Sequence, residues 1–142
     1  MVKFRRATVL LAEDNPDEVE IARRALKRSQ LNCELLVARD GEEALRMLGE
    51  LQHSLPDLML LDLNLPKVSG LQVLGQLRAN PCFAGLPVVV MSASVREEDV
   101  TTSYELGANT YIQKPVLFDR FVEVLDILGR YWFEVARLPR AV

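Results

Sequence analysis

A chain of 142 residues has the length of one globular domain, enough to bury a single substantial core and too little for a second. Apolar residues make up 49% and charged residues 26%, which excludes a disordered chain, and 17 Lys and Arg against 20 Asp and Glu leave a net charge of −3, which argues against a nucleic-acid surface. The two cysteines, Cys33 and Cys82, have no metal-ligand spacing and are too few for a disulfide scaffold, so a reducing cytoplasm is expected.

The basic start MVKFRR has the look of an export signal, but the apolar stretch behind it, Ala7 to Ala12, ends after six residues at Glu13 and Asp14. Neither export nor a membrane span is expected. That stretch, ATVLLA, is the first of five short apolar runs; the others are CELLVA (33 to 38), DLMLLDL (57 to 63), LPVVVMSA (86 to 93) and TYIQK (110 to 114). Helical patterns alternate with them: Val19, Ala22 and Leu26 share one face, then Ala44, Leu48 and Leu51, then Leu71, Leu74 and Leu77. Asn15 with Pro16 and Glu18, Asp40 with Glu43, and Ser94 with Glu97 supply helix starts, and Gly107 a stop. The alternation predicts an α/β fold, a five-stranded parallel sheet with helices on both faces.

The fourth helix, about Glu97 to Leu106, has only Val100, Tyr104 and Leu106 as large apolar residues, and such weak packing permits movement. The last helix is predicted over about 118–138, extending about 30 Å at the α-helical rise. Phe121, Leu125, Leu128 and Trp132 can face the sheet. Val124, Ile127, Tyr131, Val135 and Leu138 then form a second stripe, which a homodimer would bury. One domain spanning 1–142 is expected, with a core of about 7–128 and the helix as an extension. Nothing that could act as a DNA-binding or enzymatic output domain follows, so signalling by protein contact is expected.

In a doubly wound sheet of strand order 2-1-3-4-5, ligands bind beyond the carboxyl ends of the strands, where the order reverses. The candidate residues all fall there: Glu13 and Asp14 after the first run, Asp62 closing the third, Ser92 the fourth and Lys114 the fifth. Strands one and three are neighbours in that order, so Glu13, Asp14 and Asp62 converge. Crowded carboxylates raise one another's pKa unless a cation neutralises them. Oxygen ligands without His or Cys favour a hard divalent ion, Mg²⁺ with Mn²⁺ as a substitute. Asp14 and Asp62 would bind it directly, Glu13 mostly through water, and the backbone carbonyl of Asn64 could complete the site. Lys114 supplies a point charge for an anion beside Asp62, and the Ser92 hydroxyl can donate to that anion, which these partners mark as a phosphoryl group.

The segments LLAEDNPDE, LLDLNLPKVSG, VVVMSA and GANTYIQKP resemble the receiver domain of two-component response regulators, over about residues 7 to 128. The acid pair, the Asp with Pro four and Gly eight residues on, the Ser and the Lys-Pro occur in order at compatible spacing. The resemblance implies a flavodoxin-like (βα)5 sandwich like that of CheY. It also implies Asp62 as phosphoacceptor, Glu13 and Asp14 as Mg²⁺ holders, Ser92 and Lys114 as phosphoryl contacts and Tyr111 as an aromatic switch working with Ser92. It further implies a cis peptide at Lys114-Pro115, and Asn64 and Ser94 flanking the path of the hydrolytic water. The phosphoryl donor would be a sensor histidine kinase, and the chain would be no enzyme beyond promoting its own aspartyl phosphorylation and dephosphorylation. EDNPDEVEIARRAL and YWFEVARLP are similar to stand-alone regulators paired with bacterial phytochrome kinases, some of which dimerise through helix four, strand five and helix five.

Two other classes compete. An Asp-nucleophile, Mg²⁺-dependent phosphatase would use similar groups, but such enzymes resemble one another in an Asp-x-Asp near the first strand, whereas Asp62-Leu63-Asn64 lies on the third. A receiver-like module that binds partners without phosphorylation would usually have lost the acids or the lysine.

Overall fold

A computed structural model describes residues 6–29 and 32–138. Strands β1 (Ala7–Ala12), β2 (Cys33–Ala38), β3 (Leu58–Leu61), β4 (Val88–Ser92) and β5 (Thr110–Gln113) alternate with helices α1 (Pro16–Arg28), α2 (Gly41–Glu50), α3 (Gly70–Ala79), α4 (Glu97–Glu105) and α5 (Phe118–Gly129). The sheet is parallel in the order β2-β1-β3-β4-β5, as expected. Strands β3 and β4 are shorter than their apolar runs. Strand β4 begins after Pro87, which has no N–H to give a ladder.

The inner strands read as unbroken apolar runs because both of their faces are covered. Leu10, Ala12, Met59, Leu61, Val88 and Val90 pack with Ala44 and Leu48 of α2 and Val73, Leu74 and Leu77 of α3. The alternate residues Val9, Leu11, Leu58, Leu60, Val89 and Met91 pack with Val19, Ala22, Ala25 and Leu26 of α1 and Leu125 and Leu128 of α5. Each leucine fully removed from water contributes about 1.5–3 kcal/mol, so these two layers dominate the stability.

Helix starts agree with the sequence at two places: Asn15 accepts from the Asp17 N–H and Asp40 from that of Glu43. They differ at two others. Ser69 and Gln72 form an unforeseen reciprocal capping box on α3. Ser94 does not cap α4, because the helix starts later: its hydroxyl accepts from the N–H of Arg96 and donates to Asp99, and Arg96 takes the N-cap position and contributes no side-chain cap. Only Ser103 is buried on α4, in line with its thin apolar face. Gly107 ends α4 at φ 106°, and a Cβ there would also meet Arg78 Cγ at 2.6 Å.

The C-terminal helix stops at Val135, three residues short of expectation, and Arg130–Val135 winds as a π-helix. Ala136 is already extended, and Pro139 further on disfavours a helical conformation at Leu138. The wider turn lets consecutive Trp132 and Phe133 both pack on the α1–α5 layer. The outer stripe is therefore narrower than expected. Ile127 (59% exposed), Tyr131 (51%) and Val135 (74%) face outward, whereas Val124 packs on the core and Leu138 lies half-buried beyond the helix. Among the described residues no helix is long and apolar enough to cross a membrane.

Candidate functional site

Strand pairing assembles the site. Ala12 pairs with Leu61 across β1 and β3, and the next N–H on β3's path, that of Asp62, donates to the Ala12 carbonyl at 3.1 Å. The Glu13 N–H is held by the Ala38 carbonyl of β2 at 2.9 Å. Carboxylate oxygens of Glu13, Asp14 and Asp62 thereby come within 4.8 Å of one another, as the sequence predicts. Glu13 and Asp62 are buried, 3% and 6% exposed, while Asp14 opens to solvent. A donor set of three carboxylates without nitrogen or sulfur suits a hard divalent ion.

Lys114, just past β5, reaches into this cup. Its Nζ lies 2.5 Å from Glu13 Oε1, 3.2 Å from Glu18 Oε2 and 3.4 Å from Asp62 Oδ2. Burial pushes the Glu13 carboxyl up to about 7; the Lys114 hydrogen bond opposes that rise and the Asp62 charge adds to it. Burial alone would lower the Lys114 ammonium, but its bond to Glu13 and the charges of Asp62, Glu13 and Glu18 outweigh burial and raise it. One cation thus partly neutralises three acids. Glu18 was not foreseen in this role; read as part of the α1 cap, it instead turns one helical turn beyond Asp14 toward the lysine.

The segment after Asp62 owes its path to a close approach. A Cβ on Gly70 would lie 2.2 Å from the Asp62 carbonyl oxygen, so only glycine lets α3 begin there, which accounts for the glycine eight residues after the aspartate. Asn64 is exposed, and its N–H donates to Asp62 Oδ1 at 3.3 Å. Ser92 is fully buried at the end of β4, its Oγ accepting from the Ser94 N–H at 3.1 Å and its carbonyl from the Lys114 N–H at 2.8 Å. Tyr111 lies half-buried; its hydroxyl donates to the Ser94 carbonyl at 2.9 Å and its N–H to the Tyr104 hydroxyl at 3.0 Å.

The Lys114–Pro115 peptide is trans, contrary to expectation, and no cis peptide occurs among the described residues. Trans is the intrinsic preference of an X–Pro bond, and the chain runs on into the exposed Val116 and Leu117. Below Lys114 a cavity of about 150 Å³ lies between residues of α1, the sheet and the start of α5, lined by Ile21, Ala22, Leu60, Met91 and Phe121 together with the acids Glu13 and Asp62. A carboxylate beside a lysine ammonium, with two further acids able to hold a divalent ion, has the parts of an oxygen nucleophile toward phosphorus.

Comparison with known proteins agrees with this geometry. The chain is 38% identical over 137 residues to the response regulator Rcp1 of Synechocystis sp., covering 94% of this chain and 93% of that one. The crystal structure of the phosphorylated cyanobacterial phytochrome response regulator RcpA superposes with a TM-score of 0.89 at 35% identity, covering 96% of this chain and all of the other. The Mn²⁺-bound form of Rcp1 gives a TM-score of 0.84 at 36% identity over 94% of this chain and 99% of its own. Residues 9–126 match the response regulator receiver domain, and the chain belongs to that family.

Proposed function

We propose that the chain is the phosphoacceptor of a two-component pathway, in which Asp62 takes a phosphoryl group from the phosphohistidine of a sensor histidine kinase. The observation that carries this reading is the meeting of Glu13, Asp14 and Asp62 oxygens within 4.8 Å of one another, with the Lys114 ammonium 3.4 Å from Asp62. An Asp62 carboxylate oxygen attacks phosphorus in line, the bond from phosphorus to the donor imidazole nitrogen breaks, and the imidazole leaves with its electron pair. Glu13, Asp14, Asp62 and the Asn64 carbonyl would hold Mg²⁺ or Mn²⁺, which when bound supplies charge neutralisation for the phosphoryl oxygens. The Mn²⁺ in Rcp1 supports that choice. Lys114 then leaves its carboxylate partners for a phosphoryl oxygen, Ser92 donates its hydroxyl proton to another, and Tyr111 follows the β4–α4 corner. Beyond its own phosphorylation and dephosphorylation the chain performs no catalysis, and it works in the cytoplasm.

The kinship with RcpA and Rcp1 supports a phytochrome-type kinase as donor. Exposed Ile21 and Val116 line the cavity, and with the exposed Leu117 next in the chain they offer the donor protein an apolar seat near Asp62. Ile127, Tyr131 and Val135 form a separate outward stripe on the last helix, which a second copy would cover, and an output protein would read the α4–β5–α5 face. Incubation with acetyl phosphate and Mg²⁺ tests the central claim: one stoichiometric acyl phosphate, absent in Asp62→Asn, is expected. Turnover of unrelated phosphate esters, or an adduct surviving that substitution, would sink it.

A further inference from the structure

The corner between β4 and α4 is tied by a continuous set of hydrogen bonds that ends on a carboxylate outside the acid cup. The Ser92 hydroxyl accepts from the Ser94 N–H at 3.1 Å. The Ser94 hydroxyl accepts from the Arg96 N–H at 3.2 Å and donates to Asp99 Oδ2 at 2.5 Å. The Ser94 carbonyl takes the Tyr111 hydroxyl, and the Tyr111 N–H goes to the Tyr104 hydroxyl of α4. The start of α4 has little else to hold it: the helix opens without a side-chain cap at Arg96, and its single buried residue, Ser103, donates back to the Asp99 carbonyl at 2.7 Å. A hydroxyl bonded at this length to a carboxylate is about twice as strong as a neutral pair.

We infer that Asp99 is a positioning residue of the phosphoryl site: through Ser94 it holds the corner that carries Ser92, and the phosphorylated arrangement is reached by releasing that hold. The inference rests on the reading of Asp62 as phosphoacceptor and Ser92 as a phosphoryl contact. Ser92 is pinned through its carbonyl by Lys114, so its backbone stays in place while its hydroxyl turns to a group on Asp62; that turn gives up the bond from the Ser94 N–H and leaves the Ser94 peptide to shift after it. That shift draws the Ser94 hydroxyl away from Asp99, which is fixed in the first turn of α4. The bond therefore stabilises the resting arrangement over the phosphorylated one, and a ligand that requires the latter binds more weakly by the cost of breaking it. Asp99 also lies favourably at a helix N-terminus beside Glu97 and Glu98, a role it could fill without Ser94. The two roles predict different results.

Titration with beryllofluoride in Mg²⁺ buffer, followed by backbone amide NMR, separates them. Asp99→Ala and Ser94→Ala should each bind about tenfold more tightly than wild type, and the double variant no more tightly than either. Asp99→Asn, which keeps an oxygen acceptor, should show a smaller gain, about threefold. Amide exchange over 97–105 in the ligand-free protein should quicken in Asp99→Ala. Unchanged affinity with only a lower melting temperature, or gains that add in the double variant, would overturn the inference while leaving the phosphoacceptor reading intact. No adduct on wild type would overturn both.

Discussion

The alpha carbon of Gly70 sits so near the backbone of Asp62 that a methyl group on it would meet the Asp62 carbonyl oxygen at 2.2 Å and Leu63 Cα at 2.6 Å. Both neighbours are main chain and cannot rotate aside. Gly70→Ala should therefore displace either the start of α3 or Asp62, lowering stability by about 1–3 kcal/mol and slowing phosphorylation by acetyl phosphate. Gly49, near the end of α2, has nothing within 4 Å of its added carbon. Gly49→Ala should raise stability by about 0.5–1 kcal/mol with phosphorylation unchanged, which denaturant melts of the two variants will show.

Glu13 links stability to pH through the acid cup. Its carboxyl titrates near 7 in the fold, raised by burial first, against an ordinary value of 4.5. The folded state thus binds this proton more tightly than the unfolded one. The resulting stability is fully present below pH 4.5 and is lost as pH rises through 7, on the order of 3 kcal/mol at full ionisation. Thermal melts with EDTA should show this decline, Glu13→Gln should flatten it, and Mg²⁺ should offset it while releasing protons detectable by calorimetry in buffers of differing ionisation enthalpy.

Arg78 joins three segments at the opposite end of the sheet. Its guanidinium donates to the carbonyls of Gly107 and Phe83, both at 2.9 Å, and to Asn109 Oδ1 at 3.0 Å, while that same oxygen accepts from the Val88 N–H. Arg78→Ala should cost about 2–4 kcal/mol, and Arg78→Lys should recover only a minor part because one ammonium cannot span the three acceptors. Urea denaturation measures the loss; phosphorylation of the folded fraction should be unaffected.

The outward stripe of Ile127, Tyr131 and Val135 bears on assembly. Tyr131 packs edge-on against Trp132, ring centroids 5.0 Å apart, which fixes it as a rigid contact. Sedimentation of wild type should give a dimer and Tyr131→Glu a monomer, since a buried carboxylate at such a seam has no partner. A monomer in both would remove the dimer from the proposed function.

The five apolar runs, the amphipathic helices and the position of the acids at strand ends were all legible in the sequence, because burial on two faces imposes unbroken apolar strands and leaves polar residues only at their mouths. Asp62 and Lys114 stood out for the same reason: charges directly after such runs have few other uses. Where contacts depend on which distant segments meet, local pattern carries no signal. Glu18 reaches Lys114 across 96 positions, Arg78 binds the turn after α4, and Asp99 takes the Ser94 hydroxyl that local pattern assigned to a helix cap. The π-helical end at Val135 and the partial burial of Val124 were likewise settled by packing around them, whereas the Lys114–Pro115 peptide keeps its intrinsic trans form. Periodicity specifies which residues must leave water; only the assembled fold decides which polar groups then find one another.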